Sequence, residues 1–191
     1  SLACNYNPEA NMADGSCQYS QQGYDCDGNI IAEIGDIMEG GYLFYIDETG
    51  KHGFVAATED IGQFEWGCYS EDASGADASS IGSGNENTID IVNGCSTENG
   101  GITAAQSTLD FDSEGYDDWF LPSKDELTEM YNSIGNGSSI GNIAAFSDSY
   151  YWSSTEYNIH QSWSVHLTDG SIIVGDKFQP NYFTVRPIRS F

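Results

Sequence analysis

Residues 150–191 read YYWSSTEYNIHQSWSVHLTDGSIIVGDKFQPNYFTVRPIRSF. Apolar and aromatic residues alternate there with small polar ones, the period of half-buried strands. Strands are expected at YWSST (151–155), SWSVHL (162–167), SIIV (171–174) and FTVRPIRSF (183–191). Thr168, Asp169 and Gly170 turn the second into the third in hairpin fashion. Between the apolar positions stand Tyr, Trp, Ser, Asn, His and Gln, the palette of a rigid recognition surface rather than of a catalytic pocket. Arg186 and Arg189 stand three apart, so on one strand they face opposite ways and cannot both meet one ligand. At least one is expected to pair internally with an acid such as Glu126 or Glu156.

Upstream of this stretch, Ser123 and Glu126 form an S-x-x-E capping box behind Pro122. Leu127, Met130, Tyr131 and Ile134 follow at helical spacing, and Gly135 ends the pattern, which predicts a helix over Lys124–Ile134. A shorter helix is expected over 103–111, TAAQSTLDF. GGYLFYID (40–47) and HGFVAAT (52–58) read as two strands of a hairpin. Trp119, Trp152, Tyr42 and Phe44 are the core candidates. Residues 59–100 are polar and glycine-rich and read as a long loop, which is unusual unless stapled. A bond between Cys68 and Cys95 would staple it and stabilise the fold by about 3 kcal/mol in the chain-entropy model. The order of strands, helices, then strands gives an α+β fold, placed here in a domain over 30–191.

Residues 1–29 have almost no apolar periodicity and read as a separate, loop-rich module. It holds Cys4, Cys17 and Cys26 within a short span, as disulfide-stapled modules do, and lacks the C-x2-C spacing of a zinc site. Two of the three are expected to pair, Cys4 with Cys17 being the assigned bond, while the third has its partner upstream. The start, Ser-Leu-Ala-Cys, has neither the basic nor the apolar region of a signal peptide. It reads as a cut inside a longer, modular protein. Cysteine usage points to a secreted or extracellular surface location.

Thirty acids against five Lys and Arg give a formal net charge of −25. Such a field repels nucleic acid and anionic membranes. No apolar run approaches the roughly 20 residues of a membrane span. The charge suits divalent cations, and calcium is the expected cofactor if there is one. Asp110, Asp112 and Glu114 match the opening of a D-x-D-x-[DE]-G calcium loop, although the twelfth position is Leu121 rather than Glu. A solvated acidic loop ahead of Trp119 is the alternative. Asn5, Asn7, Asp14, Asp25 and Asp27 are either oxygen ligands or metal-free Asx turns. Gln179-Pro180-Asn181 has the look of a sugar-selecting triplet but stands where a plain turn explains it. His160 and His166 would share a strand face, without a third partner for metal or catalysis. No H-E-x-x-H or phosphate-loop pattern is present, so a non-enzymatic binding module is expected.

Five pieces carry a family likeness: GGYLFYID (40–47), IGSGNENTIDIV (81–92), GYDDWFLPSKDELTEMY (115–131), YYWSSTEY (150–157) and VRPIRSF (185–191). Together they resemble the bacterial family named after the C-terminal domain of the Legionella collagen-like adhesin. The first 29 residues resemble a short Cys-rich module, ACNYNP…DGSC, of large secreted bacterial and viral proteins. The resemblance implies a C-type-lectin-like domain of two helices and a small antiparallel sheet. It implies extracellular ligand binding or adhesion, to a glycan or a protein on a cell or particle surface. In the adhesin itself the ligands are acidic glycans, for which the charge of this chain is a poor match. The resemblance further implies a diversified C-terminal segment. Its scaffold would be Trp152, Ser153, Ser154, Glu156, Trp163, Val165, Gly170, Lys177, Val185, Arg186, Pro187, Arg189 and Phe191. Its displayed ligand-binding positions would be Tyr157, Asn158, His160, Gln161, Ser164, His166, Thr168, Gln179, Asn181 and Tyr182, with Trp163 and Phe178 adding apolar contact. Two alternatives stand beside this. One is a structural tip or self-association domain of a surface fibre. The other is a relative of formylglycine-generating enzymes, which share this fold and use reactive cysteines.

Overall fold

The hairpin expected at residues 40–58 is the centre of the first of two sheets. In chain order the elements are β1 (Ile37–Met38), β2 (Gly41–Ile46), β3 (Gly53–Ala57), β4 (Gly62–Gln63), α1 (Gly84–Gly94), α2 (Ala104–Leu109), α3 (Lys124–Ile134), β5 (Tyr150–Asn158), β6 (Gln161–His166), β7 (Ile172–Asp176), β8 (Phe183–Val185) and β9 (Ile188–Ser190). The computed structural model describes residues 3–7, 9, 15–179 and 183–191. Among them the fold is α+β, with sheet orders β1-β2-β3-β9 and β4-β8-β5-β6-β7.

Two corrections to the expected architecture follow. There are three helices among the described residues, because α1 lies inside the segment read as loop. The second sheet is mixed, since β8 runs parallel to β5. The α1 sequence, GNENTIDIVNG, is rich in weak helix formers, and Ser83 supplies no side-chain cap. The helix is held by packing instead. Gly84, Asn87, Thr88 and Ile91 are buried. A Cβ at Gly84 would collide with the Glu126 carboxylate and the Leu121 carbonyl, so only glycine admits this approach. The Thr88 hydroxyl donates to Gly84 O at 2.7 Å and accepts from Leu121 N at 3.0 Å. Helix α3, by contrast, forms over the residues read for it, with the Ser123–Glu126 capping box in place and Gly135 at its end.

Alternation sorts the first sheet's side chains. Phe44, Ala56 and Ile188 join Leu127, Met130 and Ile134 of α3 in one cluster. Leu43, Val55 and Ala57 pack the other way, on Trp119 and Phe191. The second sheet is covered on both faces. Tyr151 and Val165 meet α3, whereas Trp152 and Phe183 meet Trp66 and Ile91. Trp119, Trp152 and Phe44 are buried as expected and Tyr42 half-buried.

Between Val185 and Ile188 the chain passes from the second sheet to the first, with Pro187, which has no ladder donor, at the crossing. Both arginines are paired, but not with the acids expected. Arg186 Nε lies 2.7 Å from Asp60 Oδ1, and the guanidinium packs 4.7 Å from the Phe146 ring. Arg189 grips both oxygens of Asp118, at 2.6 and 3.0 Å, and reaches Glu39 Oε2 at 3.2 Å. Glu126 is committed to the helix cap and Glu156 to Lys177. The hydrogen bond from Arg189 holds the Asp118 carboxyl below the usual carboxylate range. A lowered folded-state pKa means stability present above the unfolded pKa, about 3.9, and lost as pH falls through the folded value. Asp118→Asn is therefore expected to flatten the acid limb of a melting-temperature profile below about pH 4. An unchanged acid limb would assign that loss to other carboxylates.

At the N-terminal end Cys4 bonds to Cys26, and Cys17 keeps an exposed free thiol. This corrects the Cys4–Cys17 assignment. Cys4 N donates to Gln18 O at 2.7 Å, which sets the backbone of the Cys17 segment beside Cys4 while the thiol faces solvent. Cys68 is bonded to Cys95, as expected. From Tyr24 onward the segment docks on the first sheet: the Tyr24 ring stands edge-on to Phe191 at 6.2 Å, and Ile30 N donates to Gly50 O at 2.8 Å.

Candidate ligand-binding surface

The surface is built on a bulge. The register of β5 on β6 jumps from Trp152↔Ser164 to Glu156↔Ser162, so Ser153, Ser154 and Thr155 have no direct ladder partners. Backbone groups displaced from a ladder and buried must find other partners, and small hydroxyl residues supply them. The Ser153 hydroxyl donates to Trp163 O at 2.7 Å, and the Ser162 hydroxyl to Thr155 O at 2.9 Å. The Thr155 hydroxyl donates to Ala78 O at 2.9 Å and accepts from Lys124 N at 3.0 Å. Ser154 N and Glu156 N donate to Pro122 O and Ala76 O. The bulge thus ties β5, β6, the start of α3 and the loop around 76–78 together.

Beside it Lys177 is fully buried. Its ammonium donates to Glu156 Oε1, to Glu71 O at 3.2 Å and to Cys68 O at 3.4 Å, and lies 4.7 Å from the Trp66 ring. Burial pushes its pKa down, and the Glu156 carboxylate opposes that. Glu156 also accepts from Ala73 N at 3.1 Å. These contacts fix the neck of the β5–β6 hairpin.

Beyond the neck the hairpin tip emerges into solvent. Tyr157 is 53% exposed, Ile159 45% and Phe178 37%. Tyr157 stands edge-on to Trp163 at 4.9 Å, with Lys124 Nζ 5.4 Å from the Trp163 ring. The tip is held rigid by its own turn: Asn158 Oδ1 accepts from His160 N at 2.8 Å and Gln161 N at 3.0 Å. Ile159 O accepts from Ser70 N at 2.8 Å, and His160 O from Lys177 N at 3.0 Å. A second group of rings surrounds Tyr69, with His160 at 5.2 Å and Phe178 at 4.8 Å.

Of the expected contact residues, Tyr157, Asn158, His160, Gln161 and Trp163 come together here, with half-buried Gln179 directly after Phe178. Ser164 does not belong and is corrected: it is fully buried. It faces the Trp66 side of a sheet covered on both faces, so alternation brings it no exposure. His166 and Thr168 sit at the other end of β6, roughly 17 Å away at 3.3 Å per residue. The His166 ring lies 4.7 Å from that of Tyr150, and its nitrogens lie 3.5 Å from Asp148 and 3.2 Å from Asp169. His160 is in the turn, so the two histidines share no strand face. Pro180, Asn181 and Tyr182 lie outside the described residues, as does Asp14. Tyr69, Ile159 and Lys124 are the tip residues that sequence reasoning missed. The only signal for Tyr69 was its place beside the stapled Cys68.

Among the described residues no group of three or more His, Cys, Asp or Glu side chains is placed to hold a metal ion. Asp110, Asp112 and Glu114 are accordingly not gathered into one cluster, and Asp110 accepts from Gln106 Nε2 at 2.7 Å. Asp25 accepts from Asp27 N and Asn29 N in an Asx turn. No helix among the described residues is long and apolar enough to cross a membrane.

Residues 63–189 match the family model described as Lcl C-terminal domain. The match takes in the second sheet except for Gly62 of β4, the three helices and most of β9. No curated protein matches the chain. Among solved structures, a fimbrial protein from Bacteroides ovatus ATCC 8483 is similar at a TM-score of 0.56 and 18% identity, over 90% of this chain and 49% of that one. The likeness is one of fold, and this chain spans about half the length of that protein.

Proposed function

Because the chain belongs to the Lcl C-terminal domain family, we propose that it is a non-enzymatic, extracellular ligand-binding domain that acts through the tip of its β5–β6 hairpin. The family, and the fold shared with a fimbrial protein, fit a surface adhesion or fibre domain. The observation that carries the finer reading is the pairing of exposed aromatic rings at the tip with a buried, fully bonded neck beneath them. Rigid aromatic side chains lose little entropy on binding and bury much area, which is how recognition surfaces gain affinity. The C-type-lectin-like description of the scaffold, the spacer role of residues 1–29 and the place within a larger modular protein belong to this same reading. Two intact disulfides support an oxidising, extracellular setting.

The enzyme alternative has less support, since Cys68 and Cys95, the pair it would draw on, are bonded to each other. A structural, self-associating role is favoured by one observation: β7 is an edge strand whose Ile172 is 43% exposed. Sedimentation over a range of concentrations separates the two readings, a constant monomer mass speaking for the binder.

Tyr157→Ala is expected to lower retention of the domain on an array of surface glycans and displayed peptides by about tenfold or more, the loss of a hot-spot aromatic. Its melting temperature should stay unchanged, because the ring is half exposed. Unaltered retention would remove the tip from the binding surface, and a fall in melting temperature would make Tyr157 a packing residue.

A further inference from the structure

We propose that the tip recognises a basic protein surface, an arginine or lysine side chain of the partner seating on the Tyr69, His160 and Phe178 rings. This rests on the reading of the tip as a binding surface and adds the chemistry of what it binds.

The charge of the chain is distributed one-sidedly. It has only five Lys and Arg residues. Arg186 and Arg189 are buried and paired with carboxylates, and Lys177 is buried against Glu156. Lys124 is 3.3 Å from Asp125. That leaves Lys51, in the turn between β2 and β3. The excess of acids is therefore a property of the exposed surface, and it reaches the tip. Glu71 and Asp72 are exposed just after Tyr69, and Asp72 acts electrostatically on Lys177. Asp176, which precedes Lys177 and Phe178, sits 3.5 Å from the Gln161 amide.

Aromatic faces attract cations, more strongly beside carboxylates. Among the described residues that pairing occurs four times: Lys177 on Trp66, Arg186 on Phe146, Arg189 on Tyr116 and Lys124 on Trp163. The Tyr69, His160 and Phe178 rings have acidic neighbours and, among the described residues, no cation over them. The neighbouring exposed Ile159 offers apolar contact for the methylene stem of an arginine or lysine. An anionic partner, such as a sulfated glycan, meets repulsion at the same place.

The test uses the whole chain, with a labelled oligo-arginine peptide, its oligo-glutamate counterpart and heparin as probes in fluorescence anisotropy. The oligo-arginine peptide is expected to bind, and the other two not. Phe178→Leu keeps apolar bulk and removes the ring; together with Tyr69→Leu it is expected to weaken oligo-arginine binding about tenfold. Melting curves of the variants establish that they are folded. Undiminished binding by the ring variants would reduce the effect to diffuse attraction by net charge and overturn the proposal. Heparin binding that the ring variants abolish would overturn it too, while leaving the tip as the binding surface. If no probe binds, the cationic class is wrong, and Tyr157→Ala on the glycan and peptide array still decides the wider reading.

Discussion

Replacing Lys177 with methionine is expected to destabilise the fold by about 3–5 kcal/mol, the effect of leaving one member of a buried ion pair uncompensated. Both side chains are withdrawn from water: the Lys177 side chain is 0% exposed and that of Glu156 is 7% exposed. Removing the ammonium would leave the Glu156 carboxylate with Ala73 N as its remaining hydrogen-bond donor. It would also strip a donor from the carbonyls of Cys68 and Glu71. The pair itself need not be worth that much, because burying two charges carries a desolvation penalty that offsets much of their attraction. The double variant Lys177→Met, Glu156→Met is therefore expected to be more stable than Lys177→Met alone. Denaturant midpoints of the wild type, both singles and the double give the coupling directly. Additive effects would mean that the two residues stabilise separate contacts. Because this pair fixes the hairpin neck, Lys177→Met should also loosen the tip, which faster amide exchange at Ile159 and His160 would report.

The family motif around 152–156 gains a physical meaning from this arrangement. Trp152, Ser153, Ser154 and Glu156, read as scaffold, are held by the bulge, and the hydroxyls there take over bonds that a regular ladder would have made. Their role was legible only as a resemblance, since no periodicity marks a bulge in advance. Helix α3 was legible because cap, apolar stripe and stop signal agree. Helix α1 was not, because its residues favour helix weakly and the contacts that hold it come from Leu121, some 33 positions along the chain. The arginine partners were hidden for the same reason: Asp60 is 126 positions from Arg186. Alternation in β6 told which residues share a face but not that both faces are covered, and this is why Ser164, read as displayed, is buried, whereas Tyr157 and His160 stand exposed at the projecting tip. Pairing among Cys4, Cys17 and Cys26 had no basis in a segment without apolar periodicity.

The two disulfides put the chain-entropy argument to a direct comparison. They close rings of similar size, with sequence separations of 27 for Cys68–Cys95 and 22 for Cys4–Cys26. Ring size alone assigns each about 3.5 kcal/mol. The folded surroundings differ. Cys68 is buried in the cluster with Trp66, Ile91 and Trp152, and Cys95 caps α1, a helix with little intrinsic stability. The ring it closes includes Ser70, Ala73, Ala76 and Ala78, all bonded to the β5–β6 hairpin. Unfolding that ring unfolds the second sheet, so the cross-link acts on the global transition. Cys4–Cys26 closes a segment whose residues 15–22 are exposed, and cutting it can unravel that segment while Tyr24 and Ile30 stay docked. Cys68→Ala, Cys95→Ala is thus expected to lower global stability by about 3–4 kcal/mol. Cys4→Ala, Cys26→Ala should leave the global midpoint nearly unchanged while making residues 15–22 sensitive to protease. Equal losses for the two pairs would show that the N-terminal segment folds cooperatively with the domain, and that ring size rather than packing sets the value of each bond.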